Sequence, residues 1–192
     1  MSKEYHYDLV IVGGGPAGSS AAYAAAKNGV KVALIEKEDS IAETVRTSGV
    51  TWIESIKEFG IPENCYNPIK NFSFSSPNNE VTIKDSVATA AVLDVRKTYR
   101  WLVNEAEKMG ADVFVKTNIN DVIKNNDGDI IGVKGIGING KITFHSKIII
   151  DATGFTSTIS KAMGLVTQWE RFGAGAEYEA EGENADADTW WL

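Results

Sequence analysis

The sequence is poor in the residues that staple or metal-link a fold. Its 192 residues include 1 Cys, Cys65, and 2 His, His6 and His145. One Cys permits neither an internal disulfide nor a thiolate cage, which fits a reducing cytosol. The two His stand far apart without ligand spacing, so no metal site is expected. Proline is scarce, at 4 residues, and 18 Gly are too few for a collagen-like repeat. With 43% hydrophobic and 23% charged residues, the composition is that of a folded globular chain rather than a disordered one. There is no excess of positive charge: 19 Lys and Arg face 26 Asp and Glu, a net −7. Nucleic-acid binding is therefore not expected.

The acidity is local. Residues 177–192 hold Glu177, Glu179, Glu181, Glu183, Asp186 and Asp188 and no Lys or Arg. Without those six acids the remainder has 20 acidic against 19 basic residues, a net −1. Long apolar runs are missing too. Leu9 to Ala26 carries no charge, but Gly13, Gly14, Gly15, Pro16 and Gly18 interrupt it. A membrane-spanning helix needs bulky apolar residues throughout, so this stretch reads as strand, turn and helix. The N-terminus MSKEYHYD is charged and has no signal-peptide pattern. The expected location is the cytoplasm.

What is present is an alternation of strands and helices. Tyr7 to Val12 is a short apolar run ending in glycines, the pattern of a buried parallel strand. The Ala-rich stretch 17–28 predicts a helix stopped by Asn28-Gly29, and Val30 to Glu36 predicts a second strand. Residues 47–60 predict a helix, and 69–84 a hairpin around Pro77-Asn78-Asn79. Arg96 to Met109 predicts an amphipathic helix, and Asp112 to Val115 a strand. Strands at 119–124, 130–136 and 141–150, broken at Asn125–Gly128 and Asn139-Gly140, predict a three-stranded meander. A short helix is expected at 156–163 and a further strand at Phe172 to Tyr178. The fold class is α/β: a Rossmann-like dinucleotide-binding domain with a parallel sheet and a β-meander, followed by the start of a second, substrate domain. The expected boundaries are 1–168 and 169–192. The meander at 119–150 belongs to the first domain, and the hairpin at 69–84 lies on the substrate-domain side.

The chemistry-bearing motif is Gly13-Gly14-Gly15-Pro16-Ala17-Gly18, a GxGxxG between a strand and a helix. Gly13 permits the tight turn, Gly15 lets backbone N–H groups approach a pyrophosphate, and Gly18 lets the helix pack on the strands. The positive end of the helix dipole faces the phosphates. The second strand ends in Glu36, eighteen residues after Gly18, where a carboxylate can accept hydrogen bonds from both ribose hydroxyls. Lys37 follows it. The fingerprint indicates an ADP-containing dinucleotide and does not separate FAD from NAD.

Three stretches carry a resemblance. They are DLVIVGGGPAGSSAAYAAAKNGVKVALIEK, the helix led by Arg96 before Leu102, Ala106 and Gly110-Ala111, and the meander ending in Asp151-Ala152-Thr153-Gly154. On these, the sequence resembles flavin-dependent reductases and hydroxylases of the p-hydroxybenzoate-hydroxylase type. Among them it is most similar to the geranylgeranyl reductase family. The resemblance covers about residues 5–165 and implies FAD as cofactor. It implies that Gly13, Gly15, Pro16, Ala17 and Gly18 line the pyrophosphate and that Glu36, with Lys37 beside it, holds the adenosine ribose. It further implies that Arg46, Ser48 and Gly49 touch the flavin side and that Arg96 contacts the cofactor from its helix start. Ile119 would lie where backbone groups pair with the adenine, and Thr153 and Gly154 near the pyrophosphate.

The implied activity is reduction of isoprenoid double bonds of a lipid, with NADPH or another electron donor. The implied substrate is an isoprenoid lipid or other apolar small molecule, which is compatible with peripheral membrane contact. The implied partner is a C-terminal half, or a complementing chain, that supplies the substrate tunnel. No catalytic residue is named. Two departures stand out: Ser48-Gly49 where the reductases usually show Cys-Gly, and Thr153-Gly154 where the hydroxylases usually show Asp-Gly. Two other readings stay open. One is a flavin monooxygenase or halogenase; the other is a non-catalytic nucleotide-binding module or split subunit.

Other residues have plainer readings. Arg46 and Arg96 could be solvated charges, and Cys65 an inert small residue. His145 reads as a strand-face residue. Trp190-Trp191-Leu192 reads as the start of a buried strand.

Overall fold

The computed structural model describes residues 3–166, 171–176, 178 and 186–192. In chain order, the elements begin with β1 (Lys3–Val12), α1 (Pro16–Lys27), β2 (Val32–Ile35), β3 (Val50–Trp52) and α2 (Ile53–Phe59). Next come β4 (Tyr66–Ile69), β5 (Asn71–Ser76), β6 (Asn79–Lys84), β7 (Ala90–Leu93), α3 (Val95–Lys108) and β8 (Asp112–Phe114). The meander follows as β9 (Asn118–Lys124), β10 (Ile130–Gly137) and β11 (Gly140–Asp151), and then α4 (Thr158–Ala162) and β12 (Thr189–Trp191). Among the described residues no helix is long and apolar enough to cross a membrane.

The chain divides into two compact units, residues 1–44 with 99–172, and 45–98 with 173–192. The first holds one six-stranded sheet in the order β8-β2-β1-β11-β10-β9. β1 runs parallel to β2 and, along nearly its whole length, parallel to β11. β11 is also antiparallel to β10, and β10 to β9. Thus the last meander strand is at once the third strand of the meander and the inner neighbour of β1. This follows from its length: twelve residues are enough to satisfy β10 with the first half and β1 from Ile142 onward.

Alternation along β1 sends side chains to two cores. Leu9 and Ile11 pack with Ala22 and Ala26 of α1 and Val103 and Ala106 of α3. Val10 and Val12 pack on the other side with Ile119, Val122, Val133, Ile142, Phe144 and Ile159. Strands covered on both faces read as continuous apolar runs, which is why Val32–Ile35 is wholly buried. The small Ala22 and Ala26 let α1 lie close to the sheet.

The second unit carries two three-stranded sheets, β3-β7-β4 and β12-β5-β6. β5 and β6 form the expected hairpin, turning at Pro77-Asn78. β12 runs parallel to β5, with Trp190 opposite Phe72.

Three expectations need correction. The helix expected over 47–60 is confined to Ile53–Phe59, because Gly49 adopts φ +76 and the β-branched pair Val50-Thr51 joins β7 instead. Residues 172–176, within the strand expected at Phe172 to Tyr178, form no strand. Gly173 and Gly175 weaken strand pairing there, and Glu177 lies outside the described residues. Trp190-Trp191-Leu192 does begin a strand, but Trp191 is 57% exposed, so it is not a buried one.

Candidate functional site

The first unit brings the glycine fingerprint, Glu36 and the Thr153 turn together. Gly13 closes β1 at φ +115, a conformation open mainly to glycine, and its N–H donates to Ile35 O at 2.7 Å. A Cβ at Gly13 would overlap the carbonyl oxygen of Ala152, and one at Gly18 would overlap Gly13 O. These two glycines are required by the close approach of β1, α1 and the segment after β11. Gly15 differs: a Cβ there would meet nothing within 4 Å. Packing does not explain it.

Gly15 is also the N-cap of α1, with Pro16 in the first helical turn. No side chain caps this end, and its first turn has no acidic residue. The N–H groups of Ala17 and Gly18 occupy the turn whose donors have no intrahelical acceptor. Pro16 and Ala17 are exposed and Gly18 is buried, so the open side of the turn faces solvent. This is the donor set that a pyrophosphate uses.

Glu36 leaves β2 half-buried beside this turn, while Lys37 is exposed. One Glu36 carboxylate oxygen accepts from Gly14 N at 2.8 Å and the other from Glu38 N at 2.9 Å. The carboxylate is therefore held in place by backbone donors. Thr117 N donates to Glu36 O at 2.9 Å and Lys116 N to Glu38 O at 2.8 Å, which brings the start of β9 beside the Glu36 turn. Ile119 lies just beyond, on the outer strand β9, with its side chain buried in the second core.

Sequence reasoning left Asp151 out, yet it organises the turn that carries Thr153 and Gly154. One oxygen accepts from Thr153 N at 3.1 Å and Thr153 Oγ1 at 2.6 Å. The other accepts from Ser160 N and Ser160 Oγ, both at 2.7 Å. Burial works to raise the Asp151 pKa, but the bonds from Thr153 and Ser160 outweigh it and hold the carboxyl below its ordinary 3.8. Thr153 Oγ1 also accepts from Thr158 N at 2.8 Å. The left-handed Gly154 (φ +64) completes the turn. Position 151 had a local signal, an acid closing an apolar strand; its partner Ser160 had none.

Arg46, Ser48, Gly49 and Arg96 belong to the second unit. Arg46 and Ser48 are exposed on the segment before β3. Gly49 is buried, and a Cβ there would lie 2.8 Å from Leu93 O, so packing alone requires glycine at this position. Arg96 is half-buried in the first turn of α3, one residue inside the helix start. That start is set by Asp94, which accepts from Lys97 N at 3.0 Å. Cys65 is 3% exposed, and burial pushes its thiol pKa up, which suits an inert residue.

The two His need correction as well. Sequence distance separates them, but the parallel register makes His6 and His145 direct partners on β1 and β11. Their rings stack at 4.8 Å between centroids.

Comparison with known proteins agrees with this geometry. The family model for FAD dependent oxidoreductase matches residues 8–178. A digeranylgeranylglycerophospholipid reductase of Methanocaldococcus jannaschii is 39% identical over 163 residues, which is 83% of this chain and 41% of that protein. A Methanosarcina barkeri protein from the nifH2 5′ region is 32% identical over 178 residues, which is 86% of this chain and 91% of that protein. The crystal structure of a geranylgeranyl bacteriochlorophyll reductase-like protein from Thermoplasma acidophilum superposes with a TM-score of 0.75 at 32% identity, covering 84% of this chain and 43% of that one. The chain thus spans less than half the length of the reductase it matches. A glycine turn with open space only at Gly15, a buttressed acid after β2 and a family match over most of the sequence lead to one conclusion: the chain belongs to the FAD dependent oxidoreductase family.

Proposed function

We propose that this chain binds FAD and forms the dinucleotide-binding part of an enzyme that reduces isoprenoid double bonds of lipids. The observation that carries the binding is Gly15, where packing asks for no glycine and a ligand does. The pyrophosphate sits against Gly13, Gly15, Pro16, Ala17 and Gly18, with the α1 N–H groups donating to it. Glu36, already aimed by Gly14 and Glu38, accepts from the adenosine ribose hydroxyls, with Lys37 at the rim. Ile119 offers backbone groups to the adenine. Thr153 and Gly154 border the pyrophosphate. Arg46, Ser48, Gly49 and Arg96 serve the flavin end.

When bound, FAD supplies two-electron chemistry: electrons taken from NADPH or another donor go, as hydride with a proton, to an isolated alkene. The substrate class rests on similarity to the reductase of M. jannaschii. A polyprenyl chain needs an apolar tunnel, supplied by a C-terminal half or a complementing chain. Such an enzyme works in the cytoplasm at the membrane surface, where its lipid substrate resides.

FAD titration of the purified chain, followed by quenching of flavin fluorescence, tests the binding. Saturable binding that ADP competes away is expected. Glu36→Ala should weaken it about tenfold, the loss of one or two hydrogen bonds to a charged group. Binding unchanged by both ADP and Glu36→Ala would overturn the assignment. The activity is tested on the chain joined with its complement, by mass spectrometry of a geranylgeranyl lipid incubated with NADPH. A gain of two hydrogens per double bond is expected.

A further inference from the structure

We infer that Glu4, His6 and His145 form a binding site for a divalent transition-metal cation. It lies at the end of the six-stranded sheet opposite the fingerprint. The donor atoms of the three side chains all lie within 4.8 Å of one another. His6 and His145 are register partners on parallel strands, and Glu4 is two residues before His6, hence on the same face. The pleat alone puts two imidazoles and a carboxylate side by side on one face, with no loop involved.

The geometry is close to that of a bound ion. His145 Nε2 already lies 3.7 Å from Glu4 Oε2. Tetrahedral coordination at zinc–nitrogen and zinc–oxygen distances places ligand atoms about 3.4 Å apart. Glu4 and His6 are exposed and His145 is half-buried, so side-chain rotation closes the remaining gap without backbone movement. Two imidazoles with one carboxylate favour a borderline cation such as Zn²⁺ over Mg²⁺ or Ca²⁺.

The neighbourhood leaves the cation accessible. The next acid along the face, Asp8, is engaged by Lys147 Nζ at 2.7 Å, so it does not compete for the ion. On β10 the residue opposite His145 is Gly132, which puts no side chain there. A surface cavity of about 680 Å³ opens beside both His, with Asp129 and Asn125 on its wall. Water or a small anionic ligand can therefore complete the coordination shell. The site is separate from the dinucleotide: seven residues of strand from His6 to Gly13 span roughly 23 Å.

The composition makes the test clean. His6 and His145 are the only His, and the single Cys is buried, so no other imidazole and no exposed thiol competes for zinc. The chain is purified without a histidine tag, stripped with chelator and titrated with Zn²⁺. The imidazole ¹⁵N resonances and calorimetry are followed together. One Zn²⁺ per chain is expected, with both imidazoles shifting in step. Glu4→Gln should weaken binding at least about tenfold, and the His6→Gln/His145→Gln double variant should abolish it. Either imidazole unmoved at stoichiometric zinc in the unmodified chain would overturn the site, as would Glu4→Gln binding like the parent. The resonance readout needs no variant, so misfolding of a substituted chain does not decide the outcome.

Discussion

Gly13→Ala and Gly18→Ala are expected to destabilise the chain by about 3 kcal/mol or more, whereas Gly15→Ala is expected to cost within about 1 kcal/mol and still lose FAD. The difference lies in what a methyl group would meet. At Gly13 it would overlap the Ala152 carbonyl, and the residue would have to hold φ +115. At Gly18 it would overlap Gly13 O and approach Ala152 Cβ to 3.2 Å. In both cases the obstacle is backbone, which cannot rotate away. β1, α1 and the segment after β11 would have to separate. At Gly15 the methyl would point into open space, and φ −72 suits alanine. In the proposed binding mode it would stand where backbone N–H groups approach the phosphates. Denaturant unfolding and FAD titration of the three variants check this. A Gly15→Ala chain that binds FAD as the parent does would remove the reason for reading the turn as a phosphate site.

Asp151→Asn is expected to cost about 3 kcal/mol near neutrality, because one carboxylate holds donors from two segments. Thr153 N and Oγ1 and Ser160 N and Oγ all donate to it. An amide nitrogen facing Ser160 N would leave that donor unmatched. The pH dependence has a definite sign. The folded pKa of Asp151 lies below its unfolded value, so its contribution is complete above the unfolded pKa. It is lost as pH falls through the folded pKa. The gap between parent and variant should therefore narrow in acid, below the ordinary carboxylate range. Urea unfolding across that range is the check. A gap that stays constant into acid would show that the charge is not what matters. Loosening of the Thr153–Gly154 turn should also lower FAD affinity.

Much of the site could be read locally. Gly13 to Gly18 and Glu36 lie within one βαβ unit, where spacing along the chain maps directly onto position. The meander was legible for the same reason: Asn125–Gly128 and Asn139-Gly140 are turn sequences, and antiparallel neighbours follow one another. The failures came where partners are remote. Residues 50–52 had helical spacing but were taken by β7, forty residues later. Asp151 could not be matched with Ser160, nor His6 with His145, because no periodicity connects them.

The sequence by itself determined that this chain makes a strand–turn–helix with a following acid, and that its single Cys allows no internal disulfide. Those properties depend on residues within a few turns of one another. The tertiary structure decided which glycines packing requires and which one it leaves open, because only neighbouring backbone distinguishes Gly13 and Gly18 from Gly15. It also decided that the scarce histidines meet. Parallel pairing of β1 with β11 is selected by burial of Val10, Val12, Ile142 and Phe144, and His6 and His145 are carried together as a consequence of that register.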